Sequence, residues 1–148
     1  MYRDLIVVQF YTGLSVSDLM SFDSSKIDTV DGQRVLIDKR IKTGVTYTAV
    51  IFDVIQDILD KYDGKLPKLS QQKYNEYTKL CFSYAKVDLP DVSSHWLRRG
   101  FGMWAPNNGA PIEVVSRALG HSSISITENA YAKVLSKTVV SAITKIKR

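Results

Sequence analysis

His95, Arg98, His121 and Tyr131 place a phenol, a guanidinium and two imidazoles in the last third of the chain. That set suits the attack of a tyrosine oxygen on a phosphodiester, with fixed cations stabilising the charge that builds on the phosphoryl oxygens. Such chemistry needs no metal, and no spacing of His, Cys, Asp and Glu in this sequence reads as a metal-ligand cluster.

Taken singly, each residue also has a plainer reading. His95 and Arg98 are spaced i, i+3, so on a helix they share a face and could grip one phosphate, Arg98 by its planar fork. An isolated pair of this kind is more often a histidine near a helix start beside a surface arginine. His121 follows Gly120, which suits a helix end and an exposed corner. Tyr131 is one of eight tyrosines, so its type alone does not separate packing from chemistry. Lys42 falls in a Lys42-Thr43-Gly44 hairpin tip. A lysine there is either simply solvated or able to reach into a DNA groove and protonate a leaving oxygen.

The elements that must hold these residues are legible from turn signals and periodicity. Residues 4–20 read as helix interrupted at Thr12-Gly13. Residues 26–51 read as a three-stranded antiparallel meander: 26–30, an Asp31-Gly32 turn, 33–41, the Lys42 tip, then 45–51. Ile51, Val54, Ile55, Ile58 and Leu59 form an amphipathic helical stripe that stops near Asp63-Gly64. Ser70 caps a helix with a predicted buried face of Tyr74, Tyr77, Cys81 and Tyr84. Ser93 or Ser94 starts another, running through about Trp104. Pro111 fits the first turn of a helix over 112–119, with Gly120 as its C-terminal cap. Ser125 and Glu128 form a capping-box pattern ahead of Tyr131. Leu135, Val139, Ile143 and Ile146 stripe a last helix over roughly 136–147. The fold class is α+β, mostly helical with one small antiparallel sheet.

A chain of 148 residues is one domain with room for a core. Its single cysteine, Cys81, excludes an internal disulfide framework and fits a reducing compartment. Leu5-Ile6-Val7-Val8 is far too short to cross a bilayer, so no membrane is expected. The net charge of +5 is uneven. Residues 1–90 carry 12 basic and 12 acidic side chains, whereas 91–148 carry 8 basic and 3 acidic. The entire excess lies in the segment holding His95, Arg98, His121 and Tyr131, which suits either a polyanionic partner or a solvated lysine-rich face.

Order and spacing together go further. The run SSHWLRRGFGM followed by APIEVVSRALGHSSISITENAYAKV resembles the catalytic domain of the tyrosine recombinase, or phage integrase, family. FYTGLSVSDLM resembles the family's Thr-Gly-Leu-Arg segment and RIKTGVTYTAVIF its lysine hairpin, so the resemblance spans essentially residues 1–148. It implies a tyrosine recombinase catalytic fold and a DNA strand transferase acting on double-stranded DNA. It implies Tyr131 as the nucleophile that joins a DNA 3′-phosphate and frees a 5′-hydroxyl. Arg98 would clamp the scissile phosphate with His95 and His121, and Lys42 would be the general acid toward the 5′ oxygen. It further implies a homo-tetramer on DNA in the cytoplasm of a bacterium or the host of a phage or mobile element, with no cofactor and no small-molecule substrate. Relatives carry an upstream helical core-binding domain, and none is expected within these residues.

Three positions depart from the pattern. Ser15 stands where the family's first catalytic arginine follows Thr-Gly-Leu; Arg98-Arg99-Gly100-Phe101 stands where relatives usually read Arg-His-Thr-Phe; and ten residues separate His121 from Tyr131 where many relatives have nine. A branch of mobile-element integrases also lacks the first arginine. Arg40 is the expected substitute: strand side chains alternate, so Arg40 would point the same way as Lys42 if its strand continued to the tip. Arg99 is the runner-up. The alternatives to a recombinase are a catalytically silent DNA-binding remnant and a topoisomerase-like nicking and closing activity.

Overall fold

The computed structural model describes residues 1–89 and 91–129. Tyr131 and the expected helix over 136–147 lie outside those residues. In order, the elements are α1 (Tyr2–Thr12), α2 (Val16–Met20), β1 (Ile27–Val30), β2 (Gln33–Lys39), β3 (Thr46–Val50), α3 (Asp53–Lys61), α4 (Gln71–Tyr84), α5 (Ser94–Asn107) and α6 (Ile112–Ala118). Residues 124–129 are also helical. The expected α+β class with its antiparallel meander is what the fold contains.

Helix α1 is the hub, packing against α3, α4, α5 and β3. Leu5 and Val8 of α1 are fully buried and join Leu14, Leu36, Ile55 and Tyr74 in the main core. A hub also buries polar side chains, and each here has a partner. Gln9 accepts from the Tyr74 hydroxyl at 2.8 Å and donates to the Leu14 carbonyl at 3.0 Å. Thr12 donates to the Val8 carbonyl at 2.6 Å. These bonds recover hydration lost on burial and fix the chain where α1 turns into α2.

The sheet runs β1-β2-β3, with Val30 opposite Gln33 and Lys39 opposite Thr46. Asp31 (φ 48°) and Gly32 (φ 77°) form the two-residue turn, whose positive φ values match the twist of the flanking strands. Strand β2 stops at Lys39, one residue short of Arg40. Arg40 instead begins the tip: its N–H donates to the Val45 carbonyl at 2.9 Å, and Gly44 (φ 68°) donates back to the Arg40 carbonyl at 2.8 Å. The expected strand to Ile41 is therefore shortened by a closed turn.

Two expectations fail locally. The buried row of α4 is Tyr74, Thr78 and, partly, Phe82; Tyr77 and Cys81 are half-buried, and Tyr84 is 79% exposed. Thr78 enters the core with its hydroxyl donating to the Tyr74 carbonyl at 2.8 Å, and the inward face keeps Tyr74 but turns away from Tyr77 and Tyr84. Tyr77 stacks on Tyr2, ring centroids 3.5 Å apart. The stretch expected to start at Ser125 begins at Ile124, so Ser123 holds the cap position and its Oγ accepts from Ser125 N at 3.3 Å.

Helix α5 continues past Trp104 to Asn107 and lies close to α1. Gly100 permits that approach, since a Cβ there would sit 2.9 Å from Phe10 Cε2.

Candidate phosphate-binding site

Three chain reversals bring the candidate residues together. At the first, α1 ends at Gly13 (φ 65°), and Ser15 caps α2 by accepting from Asp18 N at 3.3 Å. At the second, the β2–β3 tip carries Arg40 and Lys42. At the third, α6 ends with paired backbone bonds, Gly120 N to Arg117 O at 2.9 Å and His121 N to Ser116 O at 3.0 Å. That is a Schellman closure with Gly120 (φ 63°) in the left-handed position, and it fixes the direction in which His121 leaves the helix.

Arg98, half-buried in α5, ties two of these reversals. Its Nη1 donates to the Gly13 carbonyl at 2.7 Å and its Nη2 to the Leu119 carbonyl at 2.8 Å. Two of five N–H donors are thus spent on positioning, and among the described residues the rest of the fork remains for a ligand. Gly13 is tightly constrained, because a Cβ there would lie 2.6 Å from Leu119 Cδ2 and 2.7 Å from Phe101 Cδ1. Gly13→Ala is expected to cost about 2–4 kcal/mol, from overpacking added to the left-handed backbone penalty. Gly32→Ala, whose site is open within 4 Å, should lose only the backbone part. Urea denaturation of both variants checks this; equal losses would contradict it.

Asp18 organises the other side. Its carboxylate accepts from Arg40 Nη1, from Ser15 Oγ at 2.5 Å and from the Ile41 N–H at 3.0 Å. Ser15 and Arg40 bond the same oxygen, Oδ2. The Arg40 guanidinium therefore lies within one carboxylate oxygen of the side chain at position 15. Arg40 is only 6% exposed and Asp18 3%. Arg40 Cζ also stands 5.3 Å from the centroid of the Tyr47 ring. Burial lowers the Arg40 pKa, while the Asp18 carboxylate opposes that shift.

Ser15, Arg40, Lys42, His95, Arg98 and His121 all line one cleft of about 270 Å³. Lys42 and His95 are exposed at its edge. Burial, and then the Arg40 charge, lower the pKa of half-buried His121, so the ring favours its neutral form. Its Nδ1 is 2.7 Å from the Thr127 hydroxyl. Arg99 is separated from this cleft: it lines an adjoining one with Met103 and Thr127, and its guanidinium lies 5.9 Å from the Trp96 ring centroid. Five of the six predicted site residues thus converge, and the sixth, Tyr131, is outside the described residues. Arg40 reaches the cleft without the strand continuity from which its direction was predicted; the buried Asp18 draws it in.

Asp18 and Thr127 were missed. Ser15-Val16-Ser17-Asp18 carries a capping-box spacing that marks Asp18 as a helix-start residue, but nothing in that spacing announces Arg40. Thr127 has no sequence signal. Among the described residues, no group of three or more His, Cys, Asp and Glu could hold a metal ion, and no helix is long and apolar enough to cross a membrane.

Converging guanidinium, ammonium and imidazole groups around an open cleft are the equipment of a protein that handles phosphoryl groups. The chain belongs to the phage integrase family, whose model matches residues 1–138. It is similar to tyrosine recombinase XerD of Xanthomonas campestris pv. campestris, at 25% identity over 151 residues, covering 85% of this chain and 46% of that protein. The chain therefore spans about half the length of that curated relative. The fold is similar to XerH site-specific recombinase bound to palindromic difH substrate in a post-cleavage complex (TM-score 0.76, 15% identity, 98% of this chain and 45% of that one). It is also similar to the catalytic domain of bacteriophage HP1 integrase (TM-score 0.65, 24% identity, 97% and 80%). A third likeness is to the Tn1549 transposon integrase in complex with circular intermediate DNA (TM-score 0.65, 17% identity, 92% and 59%).

Proposed function

We propose that this chain is the strand-cleaving domain of a site-specific DNA recombinase or integrase. The observation that carries the reading is the convergence of Arg40, Lys42, His95, Arg98 and His121 on one cleft. In the proposed reaction the Tyr131 oxygen attacks the scissile phosphorus. A 3′-phosphotyrosine bond forms as the phenol releases its proton to solvent, the bond to the 5′ oxygen breaks, and Lys42 delivers the proton that makes the 5′-hydroxyl. Arg98 and Arg40 neutralise the charge that grows on the non-bridging oxygens, helped by His95 and His121. Attack of a 5′-hydroxyl on the phosphotyrosine reverses the sequence and seals the strand, so bond energy is conserved and no cofactor is consumed. Arg40 takes the part of the arginine absent at position 15.

The partner is double-stranded DNA, a reading supported by the Tn1549 integrase complex with circular intermediate DNA, and the working assembly in this reading is a homo-tetramer on DNA. The setting is the cytoplasm of a bacterium or of the host of a phage or mobile element. The test is a gel-stable protein–DNA adduct on a nicked suicide duplex, made by the protein with its cognate site. Sequence-specific binding without any adduct would instead identify a DNA-binding remnant.

Affinity of this domain alone for duplex DNA should be weak and largely electrostatic, because the net charge lies in residues 91–148. Contact with about 4–6 phosphates gives a log–log salt slope of roughly −4 to −5. Fluorescence anisotropy across low to moderate ionic strength measures it, and a flat response would refute the electrostatic picture.

A further inference from the structure

We propose that Thr127 is a positioning residue that sets the tautomer of His121, so that a neutral imidazole presents an Nε2–H donor to the scissile phosphate. The inference rests on the strand-cleavage reading above. Thr127 lies in the helical stretch 124–129, is 2% exposed, and holds its Oγ1 2.7 Å from His121 Nδ1. A buried hydroxyl needs an acceptor for its proton. Among the described residues, the other two fully buried helical threonines, Thr12 and Thr78, spend theirs on the carbonyl four residues earlier, at 2.6 and 2.8 Å. Thr127 makes no such bond to Ser123 among the described residues; its contact is the imidazole. The hydroxyl therefore donates, Nδ1 is the unprotonated nitrogen, and the one proton of a neutral ring resides on Nε2.

The surroundings fit a neutral ring. Asp18 from α2, Arg40 and Lys42 from the hairpin tip, and His95, Arg98 and Arg99 from α5 line the two clefts that His121 also lines. Among these the acid, Asp18, is already committed to Arg40, Ser15 and Ile41, so it offers little to an imidazolium. Burial and Arg40 both hold the ring's pKa down. A donor that needs no extra proton adds a hydrogen bond to the phosphate without adding a charge beside two guanidinium groups. It also remains a donor at neutral and alkaline pH, where an imidazolium would be lost.

Because the chain has only two histidines, the test is direct. Long-range ¹H–¹⁵N spectra of this protein, assigned with His95→Gln, are followed from pH 5 to 8. The expected result is a His121 ring with Nε2 protonated and Nδ1 bare at neutral pH. In Thr127→Val that single-tautomer signature should broaden or mix, whereas Thr127→Ser should keep it. On a nicked suicide duplex, the protein carrying Thr127→Val should cleave about tenfold more slowly at pH 8, as expected for loss of one ordinary hydrogen bond. The gap should narrow only in acid, below the ordinary histidine range, because burial and Arg40 lower this ring's pKa and only an imidazolium carries both N–H groups whatever its neighbour. An Nδ1–H tautomer in the unsubstituted protein would overturn the proposal. So would a Thr127→Val defect that stays parallel to wild type across the pH range, since that is the mark of a merely structural role. Absence of cleavage by the unsubstituted protein would count against the strand-cleavage reading, while the spectra still decide the tautomer.

Discussion

Tyr131→Phe is expected to abolish the covalent protein–DNA adduct on nicked suicide duplex while leaving DNA binding nearly intact. The substitution removes one oxygen and keeps the ring, so packing changes little, but no nucleophile remains at that position. The expectation draws on two placements. His121 is fixed at the cleft by the α6 closure, and a helical stretch over 124–129 runs toward Tyr131 in the chain. Adduct formation is read by denaturing electrophoresis after protease-free quenching, and binding by anisotropy on the same duplex. A phenylalanine variant that still forms the adduct would move the nucleophile elsewhere. Tyr11 and Tyr47 would be examined first, although Tyr47 is 3% exposed and burial raises its pKa, which makes it a poor candidate.

The second large effect concerns Arg40. Arg40→Ala should slow cleavage on the order of 10²-fold or more, as loss of a preorganised transition-state donor commonly does. It should also cost ~3–5 kcal/mol of stability, because the nearly inaccessible Asp18 carboxylate is left without its counter-ion. The two losses are separable. Asp18→Asn/Arg40→Ala removes the stranded charge and should recover much of the stability but not the rate. Ser15→Arg/Arg40→Ala should recover both, since a guanidinium from position 15 can meet the same Asp18 oxygen that Ser15 bonds now. Arg99→Ala, at the adjoining cleft, should affect cleavage far less. Wild-type cleavage by a folded Arg40→Ala protein would end the assignment.

Features governed by neighbouring residues were legible in the sequence. The Asp31-Gly32 turn needs two positive φ values and has the residues that tolerate them, and Gly120 closes α6 as its position predicts. The convergence of Lys42, His95, Arg98 and His121 was likewise anticipated, but through likeness to a family rather than from spacing. What local rules missed depends on partners distant in the chain or on small polar groups. Asp18 meets Arg40 across 22 residues, and its capping role concealed the ion pair. Thr78 displaced the tyrosine stripe because a hydroxyl that bonds its own helix buries more readily than its polarity suggests. The strand-alternation argument for Arg40 failed in its premise, since β2 ends at Lys39; the buried acid, invisible at that level, supplied the attraction that alternation was asked to provide.

The shared oxygen of Asp18 also bears on how such a site can change over generations. One acceptor serves two neighbouring positions, 15 and 40. An arginine gained at 15 while Arg40 persists would set a like charge beside the buried guanidinium, and loss of Arg40 while Ser15 persists would strand the acid. Each single step is therefore expected to be unfavourable although the double exchange is expected to restore the site, which would be sign epistasis between residues 25 positions apart. Lineages with the arginine on one segment or the other should consequently stay separate, and intermediates bearing both or neither should be rare unless position 18 changes as well.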